Sequence, residues 1–441
     1  MSSRSAPTVW LLRKEWRELL SSRSWWIFLL LMGPLVGVSF ISAVKTYAEA
    51  SGLGGTSVGV GEAYSPLIGI WAPTFSACEL AAAFLLPFVA IRLVAGDRQS
   101  GALKLELQHP MSSFTRIGIK ALILFAGWII ATLAPFVGVV LWKAYGGVIY
   151  PPELLSVVLG HLLNAGLTIA LASAAAAVTQ HPSTAAILTL SITIGGWIIN
   201  FIAAVHGNLW ERAASYTPTA MVAEFQHGLI RVSVVGVSLT LVLAGLILAA
   251  IWTRVGVAVR RRALESTALA IAALVLVVAC TQLRPSWDVS ENRMNSFSRS
   301  EERALRQISG SLTIEVHLAP EDPRRVDLER RALVKLRRVM PQVNIQYVSD
   351  TWIGLFEQSN PHYGEITYIF NGHSATSRAA TPEAVLENVF TVAGITDLAA
   401  DDDNFRGHPL PVPPKGAPLL FYIVWPLLVV GCAFLTYWRT R

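Results

Sequence analysis

The sequence predicts an α-helical polytopic membrane protein of about eight spans with an inserted α/β domain. Three observations carry this. Eight apolar runs are long enough to cross a hydrocarbon core, which takes roughly 20 residues per helix. Only 15% of the 441 residues are charged, against roughly 25% in soluble domains. One polar stretch of about 130 residues separates the last two runs.

The runs are Trp25 to Val44, Leu67 to Ala90, Ala121 to Trp142, Leu155 to Val178, Ala185 to Val205, Val232 to Trp252, Thr267 to Leu283 and Ala417 to Tyr437. None resembles a cleaved signal peptide, because the first lacks a small-residue cleavage site and leads into further spans. Trp71, Trp142, Trp210 and Trp252 fall near run ends, where an aromatic belt sits. Mean hydropathy is +0.51 and the pI about 9.3. The formal charge of +6 reads as the basic bias of cytoplasmic loops rather than as a nucleic-acid footprint.

Orientation follows from that bias. With the N-terminus inside, the cytoplasmic segments hold sixteen Lys and Arg, among them Arg13, Lys14, Arg98, Lys120 and Arg260 to Arg262. The short outer loops hold four: Lys45, Lys143, Arg212 and Arg231. Both termini are then cytoplasmic. The chain divides into a cytoplasmic interfacial helix (1–24), six spans (25–262), a seventh span (263–283), an extracytoplasmic α/β domain (284–416), and an eighth span with its tail (417–441).

The α/β domain is read from alternation. Leu312, Ile314, Val316 and Leu318 alternate as a half-buried strand does, as do Val343, Ile345 and Tyr347, and then Ile366, Tyr368 and Phe370. Asn371-Gly372 predicts a hairpin turn, since both residues tolerate positive φ. Ser298 with Glu301 predicts a capping box ahead of a helix to about Ile308. Further helices are predicted over 326–340 and 382–392, and an Asp- and Pro-rich linker over 401–416.

At the N-terminus Val9, Leu12, Trp16, Leu19 and Leu20 recur at helical spacing, apart from Arg13, Lys14, Arg17 and Glu18. That pattern predicts a helix lying in the membrane interface. Between the second and third runs, Leu103, Leu105 and Leu107 stand among charged neighbours: a small apolar ridge of the kind a soluble motor subunit docks on, or else a solvated loop.

Inside the spans, Glu79 is costly unless it faces protein or water. Pro73 and Pro87 bracket it. It is either a cavity-lining group or a paired carboxyl near a span end. His161 and Asn164 share a helix face at i, i+3 and either line a cavity or bond helices together; Asn200 carries the same two readings.

The phosphate loop G-x-x-x-x-G-K-[ST] is missing from the sequence, so ATP chemistry falls to another chain. C-x-x-C, H-E-x-x-H and G-x-S-x-G are missing too, and no catalytic residue is assigned. His317, His362, His373 and His408 have no metal-ligand spacing, and no metal or cofactor site is assigned. Cys78, Cys280 and Cys432 lie in apolar runs, which argues against a disulfide framework. Val277 to Cys280 superficially fits a lipidation box, but it is internal and reads as helix packing.

The helix around Lys14-Glu15-Trp16-Arg17, the loop from Asp97 through Gly101 to Pro110, Ser112 and Ser113, and Lys120 in the next span together resemble type-two ABC export permeases. Asp97 stands where Glu is commoner, and Ala102 where Thr is. The segment Ser215 to Arg231, with Pro218, Phe225 and Gly228, also fits. The resemblance covers about the first 262 residues and is strongest to the gliding-motility type. Trp287-Asp288-Val289-Ser290 and the residues following are similar to the auxiliary domain of those systems, here shortened and fused.

The resemblance implies a permease subunit of an ATP-driven export system in the bacterial inner membrane. Its partners would be an ABC ATPase that binds ATP and Mg, and a second copy or a sister permease. The implied coupling loop contains Asp97, Arg98, Gly101, Leu103, Leu105, Leu107 and Pro110, with Gly101 expected to allow close approach. A periplasmic partner would be met through 284–416. A non-transporting mechanical relay is the alternative, and a membrane-anchored enzyme a weaker one.

Overall fold

The computed structural model describes residues 5–52, 65–102, 106, 111–179, 181–206, 210, 213–308, 310–319, 322–340, 342–348, 362–395 and 405–440. Among them, eight helices are long and apolar enough to cross a membrane: span 1, Arg23–Gly52; span 2, Leu67–Asp97; span 3, Ser113–Ala144; span 4, Pro151–Val178; span 5, Pro182–Ala203; span 6, Val232–Trp252; span 7, Val259–Thr281; and span 8, Ala417–Trp438. All eight apolar runs of the sequence are helical, mostly extended by a turn or two of polar residues.

The chain folds as two compact units. The first holds Met1–Ile199, Ser215–Val289 and Arg406–Arg441; the second holds Asn200–Ala214 and Ser290–Phe405. The polar stretch read as 284–416 is therefore shared, its first six and last eleven residues belonging to the first unit.

Proline sets the irregularities of the spans, because its ring removes a donor and crowds the preceding turn. Span 2 opens with a π turn, Leu67–Trp71, just after Pro66. It breaks at Leu85, where φ is −105°, two residues before Pro87. Span 3 breaks at Thr132, three residues before Pro135.

Span 8 packs on span 1 through small residues. Gly33 and Gly37 lie one turn apart, and a Cβ at Gly33 would come within 2.1 Å of the Trp425 ring, one at Gly37 within 2.5 Å of Phe421. Two glycines at this spacing let another helix approach closely where lipid supplies no hydrophobic drive. Trp425 also donates to the Leu29 carbonyl at 2.8 Å. The chain entering span 8 is tied down by Tyr47 donating to the His408 carbonyl and Tyr145 to the Lys415 carbonyl, both at 2.7 Å.

Helix α1, Ser5–Ser21, presents Leu11, Glu15 and Leu19 to the protein, each no more than 1% exposed. Of the apolar face read from the sequence, only Leu19 is buried. Val9 is exposed and Leu12, Trp16 and Leu20 are half-buried. Helix α2, Pro218–Gln226, is capped by Thr217 and leads into β1, Leu229–Arg231. Strand β1 pairs antiparallel with β2, Ser286–Asp288, Ile230 standing opposite Trp287. This pairing, too short to alternate visibly, was not legible in the sequence.

The second unit contains α3 (Arg299–Gln307), β3 (Thr313–Val316), α4 (Pro323–Leu328, continued by a π turn to Val339), β4 (Asn344–Tyr347), β5 (Ile366–Phe370), β6 (His373–Ser377) and α5 (Pro382–Ala393). The sheet order is β4-β3-β5-β6, with β3 parallel to β4 and the other neighbours antiparallel. A parallel pair needs a crossover, and α4 supplies it. Both halves of the Ser298–Glu301 capping box form. Asn371 and Gly372 have φ of 47° and 84°, as the two-residue turn between Phe370 and His373 requires. Leu305, Ile314, Val316, Leu336, Ile366 and Val385 are fully buried, so the residues that alternate in the sequence form the core.

Candidate functional site: a buried charge network where the loop begins

Four elements of the chain converge on one group of charges. Helix α1 supplies Lys14 and Glu15, the end of span 2 supplies Asp97, the loop supplies Glu106, and span 3 supplies Lys120 two turns in. Glu15, Asp97, Glu106 and Lys120 are each at most 4% exposed. Such burial is sustained only when charges are paired and hydrogen-bonded.

Lys14 Nζ lies 2.6 Å from Asp97, 2.5 Å from Glu106, 3.0 Å from Glu15 and 3.2 Å from Glu18. Lys120 donates to Glu15 at 2.8 Å, to Asp97, and to the Leu93 carbonyl at 3.1 Å, which uses all three ammonium protons. Burial works against charge on Lys14, but hydrogen bonds to Asp97 and Glu106 and the field of Glu15 outweigh it and hold its pKa above the usual lysine range. Burial raises the Glu106 pKa despite Lys14 beside it. Four carboxylates, Glu15, Glu18, Asp97 and Glu106, around two ammoniums leave an excess of acid.

Glu15, Asp97 and Glu106 offer ligand oxygens within 4.8 Å of one another, a spacing a cation could use. Lys14 and Lys120 already reach into that space. One oxygen each of Glu15 and Glu106 is buried without a partner among the described residues.

The local sequence accounts for the placement. Glu15 stands four residues from both Leu11 and Leu19, so it points with them into the protein. Gly101 ends the helix Leu86–Ser100 with φ 77°, a conformation costly for residues with a side chain. No described atom of the chain lies within 4 Å of a Cβ built there, so within the chain the glycine answers a backbone requirement. Arg98 lies in the last turn of that helix. Leu103, Leu105, Leu107 and Pro110 lie outside the described residues.

The intramembrane candidates fall into separate groups. Glu79 accepts a hydrogen bond from Thr219, which in turn accepts from the Trp197 indole at 2.9 Å. His161 is buried, with Nε2 3.2 Å from Gln226 Nε2, and Gln226 reaches Ser76 at 3.3 Å. Asn164 touches a void with Ser238 and Phe225 whose volume is about 10 Å³, room for about one water molecule. Asn200 is half-buried near the end of span 5. Sequence reading missed Lys14, Glu15, Glu106 and Lys120 as one site. The available signal was an acid on the buried stripe of α1.

Residues 9–211 match the family described as ABC-2 family transporter protein. No curated protein and no solved structure matches the chain. The chain is a multi-pass membrane protein, and the matched stretch, which contains every member of the charge network, is similar to the permease domain of ABC-2 transporters.

Proposed function

We propose that this chain is the permease subunit of an ATP-driven ABC export system, coupling hydrolysis by a separate ATPase subunit to transport. The observation that carries the reading is the network itself. It ties α1, the end of span 2, the loop at Glu106 and span 3 into one body. A push on the loop between Asp97 and Pro110 then reaches two spans and the interfacial helix together instead of dissipating in a flexible connector. Leu103, Leu105 and Leu107 are the apolar contacts, and ATP and Mg belong to the partner.

In this reading the system is of the gliding-motility type with a shortened auxiliary domain. The chain lies in a bacterial inner membrane with both termini cytoplasmic and the second unit outside, and it pairs with a second copy or a sister permease. Glu79, His161, Asn164 and Asn200 are the candidates for lining the path.

One observation favours a relay reading as well. The chain passes to the second unit just after β2, which pairs with β1, and returns at Arg406 ahead of span 8, which packs on Gly33 and Gly37 of span 1. Movement of span 1 against β1 and β2 would reach the second unit through the chain at Ser290 and Phe405. Transport of a substrate by the reconstituted complex separates the readings: ATP-dependent accumulation supports export, and ATP turnover without it supports the relay.

A further inference from the structure

We propose that the turn between spans 6 and 7 is a binding site for an anionic phospholipid headgroup. Four arginines, Arg254, Arg260, Arg261 and Arg262, fall within nine residues, and one carboxylate pairs with two of them. Glu265 lies 2.7 Å from Arg254 Nη1 and 3.2 Å from Arg261 Nε. Arg260 is exposed and has no partner among the described residues. Arg262 donates one nitrogen to the Arg254 carbonyl, and its Nε is buried without a partner.

These charges also sit at the wrong end of a helix. Span 7 begins at Val259 without a side-chain cap and without an acid in its first turn, so Arg260, Arg261 and Arg262 face the positive pole of its dipole. Cations there are disfavoured, and an anion is favoured. A phosphodiester would neutralise the cluster and restore the ordinary polarity of a helix start.

The surroundings select a lipid over a soluble phosphate. Val255, Val259 and Leu264 stand within two residues of the arginines and are 62%, 64% and 66% exposed, which supplies apolar surface beside the charge for acyl chains. Arg254 is held in place by stacking over Phe114 at 5.2 Å, and the turn by Trp252 donating to Ser266 at 3.0 Å. Basic clusters flanking a span attract anionic headgroups in this way. The site rests on the membrane reading of spans 6 and 7 alone; its failure leaves the proposed coupling untouched.

The test uses the full chain in bilayer discs of phosphatidylcholine with or without phosphatidylglycerol, and the lipid retained on release is measured by native mass spectrometry. Phosphatidylglycerol is expected to be enriched over its share of the bilayer. Arg260→Gln with Arg261→Gln should reduce that enrichment roughly five-fold for each arginine. Arg260→Lys with Arg261→Lys should preserve most of it, and Arg303→Gln with Arg306→Gln, equal in charge but in the second unit, should change nothing. Enrichment that survives the first pair, is lost equally in the lysine or distant pair, or is displaced by inorganic phosphate would overturn the proposal.

Discussion

Lys14 of α1 lies 2.6 Å from Asp97, the residue at which span 2 ends, although 83 positions separate them in sequence. The contact fixes α1 to the end of span 2, where the loop begins. The consequences of that attachment are measurable.

Removing Lys120 leaves the buried carboxylates Glu15 and Asp97 to share Lys14 as their remaining cation. Breaking a buried pair on one side costs about 3–5 kcal/mol, so Lys120→Met should unfold at markedly lower denaturant in detergent. The double variant Glu15→Gln with Lys120→Met should cost less than the two single changes together. Simple additivity would mean the two groups are not coupled.

Glu106 gives a pH dependence of definite sign. Its folded pKa is raised by burial, so the stability it contributes is full below the unfolded value and is lost as pH rises through the folded one. Glu106→Gln stays neutral throughout. Its stability advantage over the wild type should therefore grow as pH rises from mildly acidic to neutral. An advantage that shrinks over that window would show that Lys14 holds Glu106 ionised and that the sign is wrong.

Gly33 tests the seat of span 8. Gly33→Leu drives a side chain into Trp425, and overpacking typically costs about 1–3 kcal/mol. Trp425→Ala in the same chain should recover part of that loss. Equal damage with and without Trp425 would mean the glycine matters for another reason.

Orientation is tested in a variant lacking Cys78, Cys280 and Cys432. A cysteine placed at Asn371 should react with an impermeant reagent in intact cells, and one at Arg260 only after lysis. The reverse pattern would invert the proposed topology.

What the sequence made legible follows from the period of its signals. Spans 1 to 8 are runs long enough to be read one at a time. The strands around Ile314 and Ile366 alternate because one face of the sheet is buried. The capping box and the Asn371-Gly372 turn are local chemistry at fixed offsets. The charge network has no such period. Lys14, Asp97 and Lys120 are each unremarkable in their own segments, where a lysine beside a span reads as a cytoplasmic flank. Only their convergence makes them a site, and one sequence read alone does not display convergence.

The most direct test of the central claim is co-purification of the complex with its co-expressed ATPase chain, followed by its ATP hydrolysis, for wild type and for Leu105→Asp. A charge placed on an apolar contact is costlier than the lost contact. The account predicts that the variant inserts normally, while the ATPase is released or its activity is no longer coupled. Full retention of both association and activity would make the loop a solvated connector and contradict the account.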